Sequence, residues 1–355
     1  MSFNFKYVPI FRVRQQEIIV LTSFNFSAQM FPLLEIIKEK DRTNNARSSQ
    51  EIYSNLIQGI DSEKVLIDLP VYFNPTVSTT QEVIRFYRQV ISNLDRRIEF
   101  YNYFRELNSK VIPVLSSISH ITGEENSIQI QRNSIGDFSI VAYRLYHKRF
   151  NKDFAEIKSN ISQNDIILYD VDDIPITNPV VKKQSEQIHD ELENYSVIIR
   201  SALNNDIQNN RLQNDQIVGE ADNSLIDFYS RDYNFNAFGD YVGIKKDDLT
   251  SGGSVSPGFI IYEPVNNVYY GFSGNTRVLS EFEDTIVPQV LNSQIINSMT
   301  RYDPRYLDRN NSGYQTLLSI NSGNESGKSQ AKFKRISMDH YLHSIRTSLI
   351  NRRIN

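Results

Sequence analysis

Four carboxylates and two arginines stand at or just past the ends of short apolar runs. Glu35 lies in 31–37, Asp68 in 65–69, Asp170 ends 165–170 and Asp172 follows it; Arg144 follows 138–143 and Arg200 closes 195–200. Carboxylate oxygens at such places can hold a magnesium or manganese ion, and a pair of arginines can grip a phosphate. The chemistry would be metal-dependent hydrolysis of a phosphoester. Glu35, Asp68, Asp170 and Asp172 would act as ligands and catalytic acids, Arg144 and Arg200 on the phosphate, and Asp240 and Tyr241 beside the substrate. The same side chains serve equally well as internal ion pairs, because a carboxylate within an apolar run must be solvated, paired or neutralised. No cofactor is evident from the sequence, and a divalent cation belongs to the hydrolase reading alone.

Other groupings are weaker. Asp170, Asp172 and Asp173 alternate like the start of a calcium loop, but the glycine and the distant glutamate of such a loop are missing. Residues 323–329 have three residues between glycines where a phosphate-binding loop has four, and no apolar helix is expected after Ser329, so a polar turn is the better reading. His340 and His343 would share a helix face, yet two histidines without a third ligand read better as buried, hydrogen-bonded side chains. Tyr269, Tyr270 and Phe272 could stack bases, but aromatic residues in strands more often pack.

What would bring the acids and arginines together is the arrangement of the runs. Apolar stretches at 7–11, 31–37, 65–69, 110–116, 138–143, 165–170 and 195–200 alternate with helical spacing at 44–59, 78–107, 150–161 and 181–192. Thr79 and Thr80 ahead of Glu82 are placed to cap the helix at 78–107. Runs apolar on both faces and separated by helical crossovers are strands of a parallel sheet. About seven such alternations precede residue 238, and no glycine-rich first turn marks an open doubly wound sheet. The expected fold is α/β, a TIM-barrel-like (β/α) body with a late β-hairpin (238–274, turning at 264–267) and a basic C-terminal cover. Strand C-terminal ends then converge on one face, where sites are built. Residues 1–300, hairpin included, form the barrel-like domain, and 301–355 complete the same domain. Residues 204–222 read as a flexible or partly helical insertion, 282–298 as helical, 301–332 as loop, and 336–354 as a last strand and helix or one helix.

The chain has 355 residues, 39% hydrophobic and 23% charged, no cysteine and a formal charge of −4. The cysteine count excludes disulfides and thiolate metal sites. Residues 301–355 carry ten Lys/Arg against four Asp/Glu, so residues 1–300 carry −10. This basic end could meet nucleic acid or, as the plainer expectation, the protein's own acidic surface. The absence of an apolar leader and of any membrane-length apolar run points to a cytoplasmic protein with no membrane partner.

Residues 7–11 and 31–36 resemble the opening of the phage-type beta protein family. Residues 238–241, 259–274 and 337–343 resemble patches that the family carries later in the chain. The resemblance implies a barrel-like fold and a place in phages or in bacterial neighbourhoods linked to phage defence. It supplies no catalytic signature, and this chain lacks the tryptophans often found near the hairpin and C-terminus. The function it implies is a component of phage–host conflict, an antiviral defence system or its phage counterpart, acting by macromolecular recognition. The expected partner is another protein of the same system, with nucleic acid second, through the basic end.

Overall fold

The computed structural model describes residues 3–39, 48–73, 75–76, 79–203, 206–220, 229–246 and 255–351. Eight parallel strands close into a barrel: β1 (Tyr7–Arg12), β2 (Leu33–Glu35), β3 (Val65–Asp68), β4 (Val111–Leu115), β5 (Ala142–Tyr146), β6 (Ile166–Asp170), β7 (Tyr195–Ile199) and β9 (Ala237–Asp240). Closure comes from β9, which pairs Ile198 with Phe238 on one side and Tyr7 with Phe238 on the other. Helices Gln15–Ser23, Ser49–Gly59, Phe150–Asn160 and Pro179–Glu191 lie in the crossovers. Both faces of each barrel strand are therefore covered, which is why the runs read as continuously apolar.

Side chains alternate along each strand, and the inward set forms its own cluster: Val8 and Ile10, Leu33, Leu66, Ile112 and Val114, Leu168, Ile199. The outward set, with Tyr7, Leu34, Ile67, Tyr143 and Ile198, packs on the helices. Continuing the inward parity one step toward the C-terminal ends gives Arg12, Glu35, Asp68, Arg144 and Asp170. The barrel is apolar below and charged at its mouth.

A second, antiparallel sheet has the order β10 (Gly258–Glu263), β11 (Val268–Ser273), β8 (Gln216–Glu220). The expected hairpin is thus two things. Phe238–Asp240 belongs to the barrel, whereas β10 and β11 form the hairpin proper, turning at Asn267 with the left-handed φ of 56°. One face of this sheet (Phe259, Ile261, Phe272) buries against helices beyond residue 280 and makes a separate core with Phe282, Val290, Met299, Leu317 and Ile336. That core draws on both sides of residue 300, so the C-terminal segment completes a body already begun.

Several expectations need correction. The fifth strand starts at Ala142, not at 138. The insertion 204–222 supplies a 3-10 turn, Asn209–Arg211, and strand β8; residues 204–205 and 221–222 lie outside the described residues. The expected loop 301–332 contains the helix Ser312–Asn321, capped by Asn311, which accepts from the Tyr314 amide at 2.9 Å. A helix does follow Ser329: the C-terminal helix Gln330–Ile350, one unbroken element. Thr80 holds the N-cap position of Gln81–Phe86 without a side-chain cap, while Thr79 instead accepts from the Thr76 amide at 2.9 Å. The helical stretch 78–107 is broken by a π-helical turn at Tyr87–Ile91, and of the helix expected over 44–59, residues 44–47 lie outside the described part.

The C-terminal helix also guards the edge of the small sheet. Ser337 donates to the Ile260 carbonyl at 2.7 Å, and His340 Nε2 meets the Tyr262 carbonyl at 2.9 Å. These side chains occupy acceptors that an unpaired edge strand would offer to another chain.

Candidate functional site at the barrel mouth

Arg144 projects inward from the middle of β5 and is fully buried. Its Nε and Nη2 donate to Asp170 Oδ2 (3.0 and 2.6 Å), Nη1 to Glu35 Oε1 (2.7 Å) and Asp68 Oδ2 (2.5 Å), and Nη2 also to the Tyr241 hydroxyl (3.0 Å). All five donors of the guanidinium are engaged, with partners from four different strands or their ends. A buried charge is tolerable only under such conditions.

Glu35 is the second hub. Its Oε2 accepts from Arg12 Nε (3.3 Å) and the Tyr72 hydroxyl (2.6 Å), and its Oε1 accepts from the Tyr241 hydroxyl (2.9 Å) as well as from Arg144. Burial by itself would raise this carboxyl. Arg144, then Arg12 and Lys246, outweigh it and hold Glu35 at about 2. Asp68 behaves oppositely. Burial, helped by the charge of Glu35, outweighs Arg144 and pushes it up to about 6. Its Oδ1 has no hydrogen-bond partner among the described residues, and neither has the hydroxyl of buried Tyr146.

The rim is aromatic and cationic. Lys246 Nζ sits 3.7 Å from the centre of the Tyr72 ring and bonds Asp172 at 3.0 Å, and the Arg144 guanidinium lies 5.3 Å from the rings of Tyr72 and Tyr146. Asp172, half-exposed and left-handed at φ 59°, also meets Lys148 at 3.3 Å. Burial works against its ionisation, but Lys246 outweighs that and lowers it.

Of the residues singled out from sequence, Glu35, Asp68, Arg144, Asp170 and Tyr241 meet at the mouth and Asp172 stands at its rim. Arg200 does not join them: it follows inward-facing Ile199, turns outward and donates to the Ile174 carbonyl at 3.1 Å. Asp240 faces outward too, as it must when neighbouring Tyr241 faces inward. There it accepts from Tyr7 (2.6 Å), Tyr341 and the Val242 amide (2.9 Å), and burial pushes it up to about 6 against those bonds. Arg12, Tyr72, Tyr146 and Lys246 were missed. Arg12 was within reach of the rule that gave Glu35, since it closes an apolar strand with inward parity. Tyr72 and Lys246 lie in loops with no such signal.

As the side chains stand, the mouth does not fit a divalent cation. Among the described residues no group of three or more His, Cys, Asp or Glu is placed to hold a metal ion. The two helical histidines are buried and bonded: His340 to Asn311 (2.8 Å) and Tyr262, His343 to the Arg305 carbonyl (2.8 Å). The glycine-rich turn engages an acid of the helical turn Phe282–Ile286, with the Gly327 amide 2.8 Å and Lys328 3.0 Å from Glu283. Tyr269 and Phe272 are core residues.

With the barrel and its mouth defined, the chain can be set beside known proteins. The profile of the Beta protein family matches residues 7–346. The chain belongs to the Beta protein family. The match takes in every barrel strand, the small sheet and most of the C-terminal helix, so family membership covers both cores. No curated protein matches the chain. Among the described residues no helix is long and apolar enough to cross a membrane.

Proposed function

We propose that this Beta protein family member is a component of phage–host conflict and acts by recognising another macromolecule, in the first place a protein of the same system. The observation that carries the recognition part is the saturation of Arg144. In a barrel of this kind the acids at the strand ends are the natural reagents, and here Glu35, Asp68 and Asp170 all neutralise one internal cation. The mouth is built as a charged keystone, which favours binding through the outer surface over chemistry inside. The phage–host setting rests on the family. The basic C-terminal region supports a protein partner over nucleic acid, because four of its ten cations meet acids of this same chain: Lys328 with Glu283, Lys332 and Arg335 with Glu325, Arg305 with Asp303. Affinity capture with the tagged chain from infected and uninfected cells tests the reading. One stoichiometric protein partner, retained in high salt, is expected. Purified protein that turns over oligonucleotides, with the turnover lost in Asp68→Ala, would overturn it.

A second reading, the metal-dependent phosphoester hydrolase, keeps one favouring observation: Asp68 is buried, its Oδ1 is unpartnered among the described residues, and its carboxyl is pushed up to about 6, suited to moving a proton near neutrality. For this reading Arg144 must first release the acids. Thermal unfolding with and without magnesium or manganese decides it, since a cation that binds the folded state raises the melting temperature.

A further inference from the structure

Beyond the mouth, the segment after β9 builds the wall of a second concavity. Asp240 fixes the turn through the Val242 amide, Tyr241 enters the barrel, and Gly243–Lys245 then face a cleft of about 480 Å³. The opposite walls come from the start of β10 and the C-terminal helix, and the third from the approach to β8. These walls are in close contact at two glycines. A Cβ on Gly243, whose φ is +72°, would lie 2.7 Å from the Tyr341 ring, and one on Gly258 would lie 2.6 Å from Asn209 Cβ. Asn209 also donates to the Ser256 carbonyl at 3.1 Å. The cleft is preformed, and its volume lies within the range of small-molecule sites.

Its lining has three chemistries. Phe259, Phe333 and Ile244 give an apolar floor. Gln208, Asn209, Asn210 and Gln330 bring four side-chain amides, groups that both donate and accept and can pair the edge of a base. Lys245 and Lys334 are the charged members; among the described residues lining the cleft none is Asp or Glu, on a chain that is net negative. A planar apolar body, an edge that both donates and accepts, and an anionic group are together a nucleotide. We infer that this cleft is a nucleotide site, with the base lying over the floor that the touching rings of Phe259 and Phe333 form, its edge toward the amides and the phosphate toward the lysines. The site shares no residue with the mouth and does not depend on the proposed partner.

Calorimetric titration and thermal shift with adenosine 5′-monophosphate test this, alongside its three ribonucleotide counterparts. Saturable binding is expected for at least one of them, with the matching nucleoside and ribose 5-phosphate each weaker by about tenfold or more. Asn210→Asp and Gln208→Glu place a negative charge on exposed lip residues without touching the core. Each is expected to weaken the nucleotide by about tenfold while leaving the unliganded melting temperature unchanged. A 5′-phosphorylated trinucleotide in a parallel titration separates the sources. Tighter binding assigns the cleft to the end of a strand, and equal or weaker binding assigns it to free nucleotides. No saturation by any of the four up to about 1 mM, or binding indifferent to both lip variants, overturns the proposal.

Discussion

Glu35 and Asp240 are both fully enclosed carboxylates at the C-terminal ends of barrel strands, but they face opposite sides of the wall. Glu35 points inward, among Arg144, Arg12 and two tyrosines, and is held ionised at about 2. Asp240 points outward, where its partners are two neutral hydroxyls and an amide, and it rises to about 6. Hydrogen bonds alone do not offset the loss of water around Asp240, whereas at Glu35 the combined charges of Arg144, Arg12 and Lys246 do; Asp68, with Arg144 as its nearest cation and the charge of Glu35 beside it, still rises. The two networks therefore do different work. Inside, charge ties strands together across the mouth. Outside, Tyr7, Tyr341 and Asp240, with the rings of Tyr262 and Tyr269 packed on Tyr341, join the barrel, the small sheet and the C-terminal helix.

The severest way to break the comparison is Arg144→Met. It would strand Glu35, Asp68 and Asp170 together in the mouth with only Arg12 and Lys246 nearby. A loss of about 5 kcal/mol is expected from the removal of one partner of a buried pair, enough to cancel much of a domain's net stability of roughly 5–15 kcal/mol. Denaturant unfolding at neutral pH measures it. Arg144→Lys should recover only a minor part, because an ammonium has three donors where five are engaged.

Asp240→Ala is the matching cut outside. It leaves the hydroxyls of Tyr7 and Tyr341 without their acceptor, at a cost of about 2–4 kcal/mol. If this variant loses as much as Arg144→Met, neutral hydrogen bonds matter as much here as charge, and the distinction between the two networks falls.

How much of this was legible in the sequence follows the same division. The barrel could be read because its strands are apolar on both faces and short. The fifth strand was misplaced for an electrostatic reason. A lone arginine inside an apolar run looks like its end, and the partners that permit it, Glu35 and Asp68, lie 109 and 76 residues away. Arg144 nevertheless fell among the right residues, since inward parity and the strand-end rule coincide there. At Asp240 and Tyr241 the rules diverged. Both were assigned to the mouth, though adjacent strand residues cannot share a face. The small sheet was half visible, because β10 and β11 carry aromatic residues at strand spacing, while β8 is a polar stretch whose pairing with β11 only the fold decides. The helix at Ser312–Asn321 was missed because its burial depends on Gly313, whose missing side chain lets it approach the Ile336 carbonyl and His340.

The gentlest test separates the networks by the sign of their pH dependence. Glu35 has a folded value of about 2, below the roughly 4.3 of an unfolded glutamate. Its contribution is therefore complete above that unfolded value and is lost as pH falls toward 2. Asp240 has a folded value of about 6, above the roughly 3.9 of an unfolded aspartate. Between those values the folded state binds the proton and the unfolded chain does not, so acidification from 7 to 5 stabilises the fold through this group. The stability gap between wild type and Asp240→Asn should widen by about 1 kcal/mol from pH 7 to pH 5. The gap to Glu35→Gln should instead shrink from pH 7 to pH 3. His340, lowered to about 4 by burial, acts against Asp240 in the same window, which is why each gap is read between variants and not from the wild-type curve alone. Two gaps that move in the same direction would mean that the inner and outer carboxylates share one environment, and the charged mouth would lose its claim to be distinct.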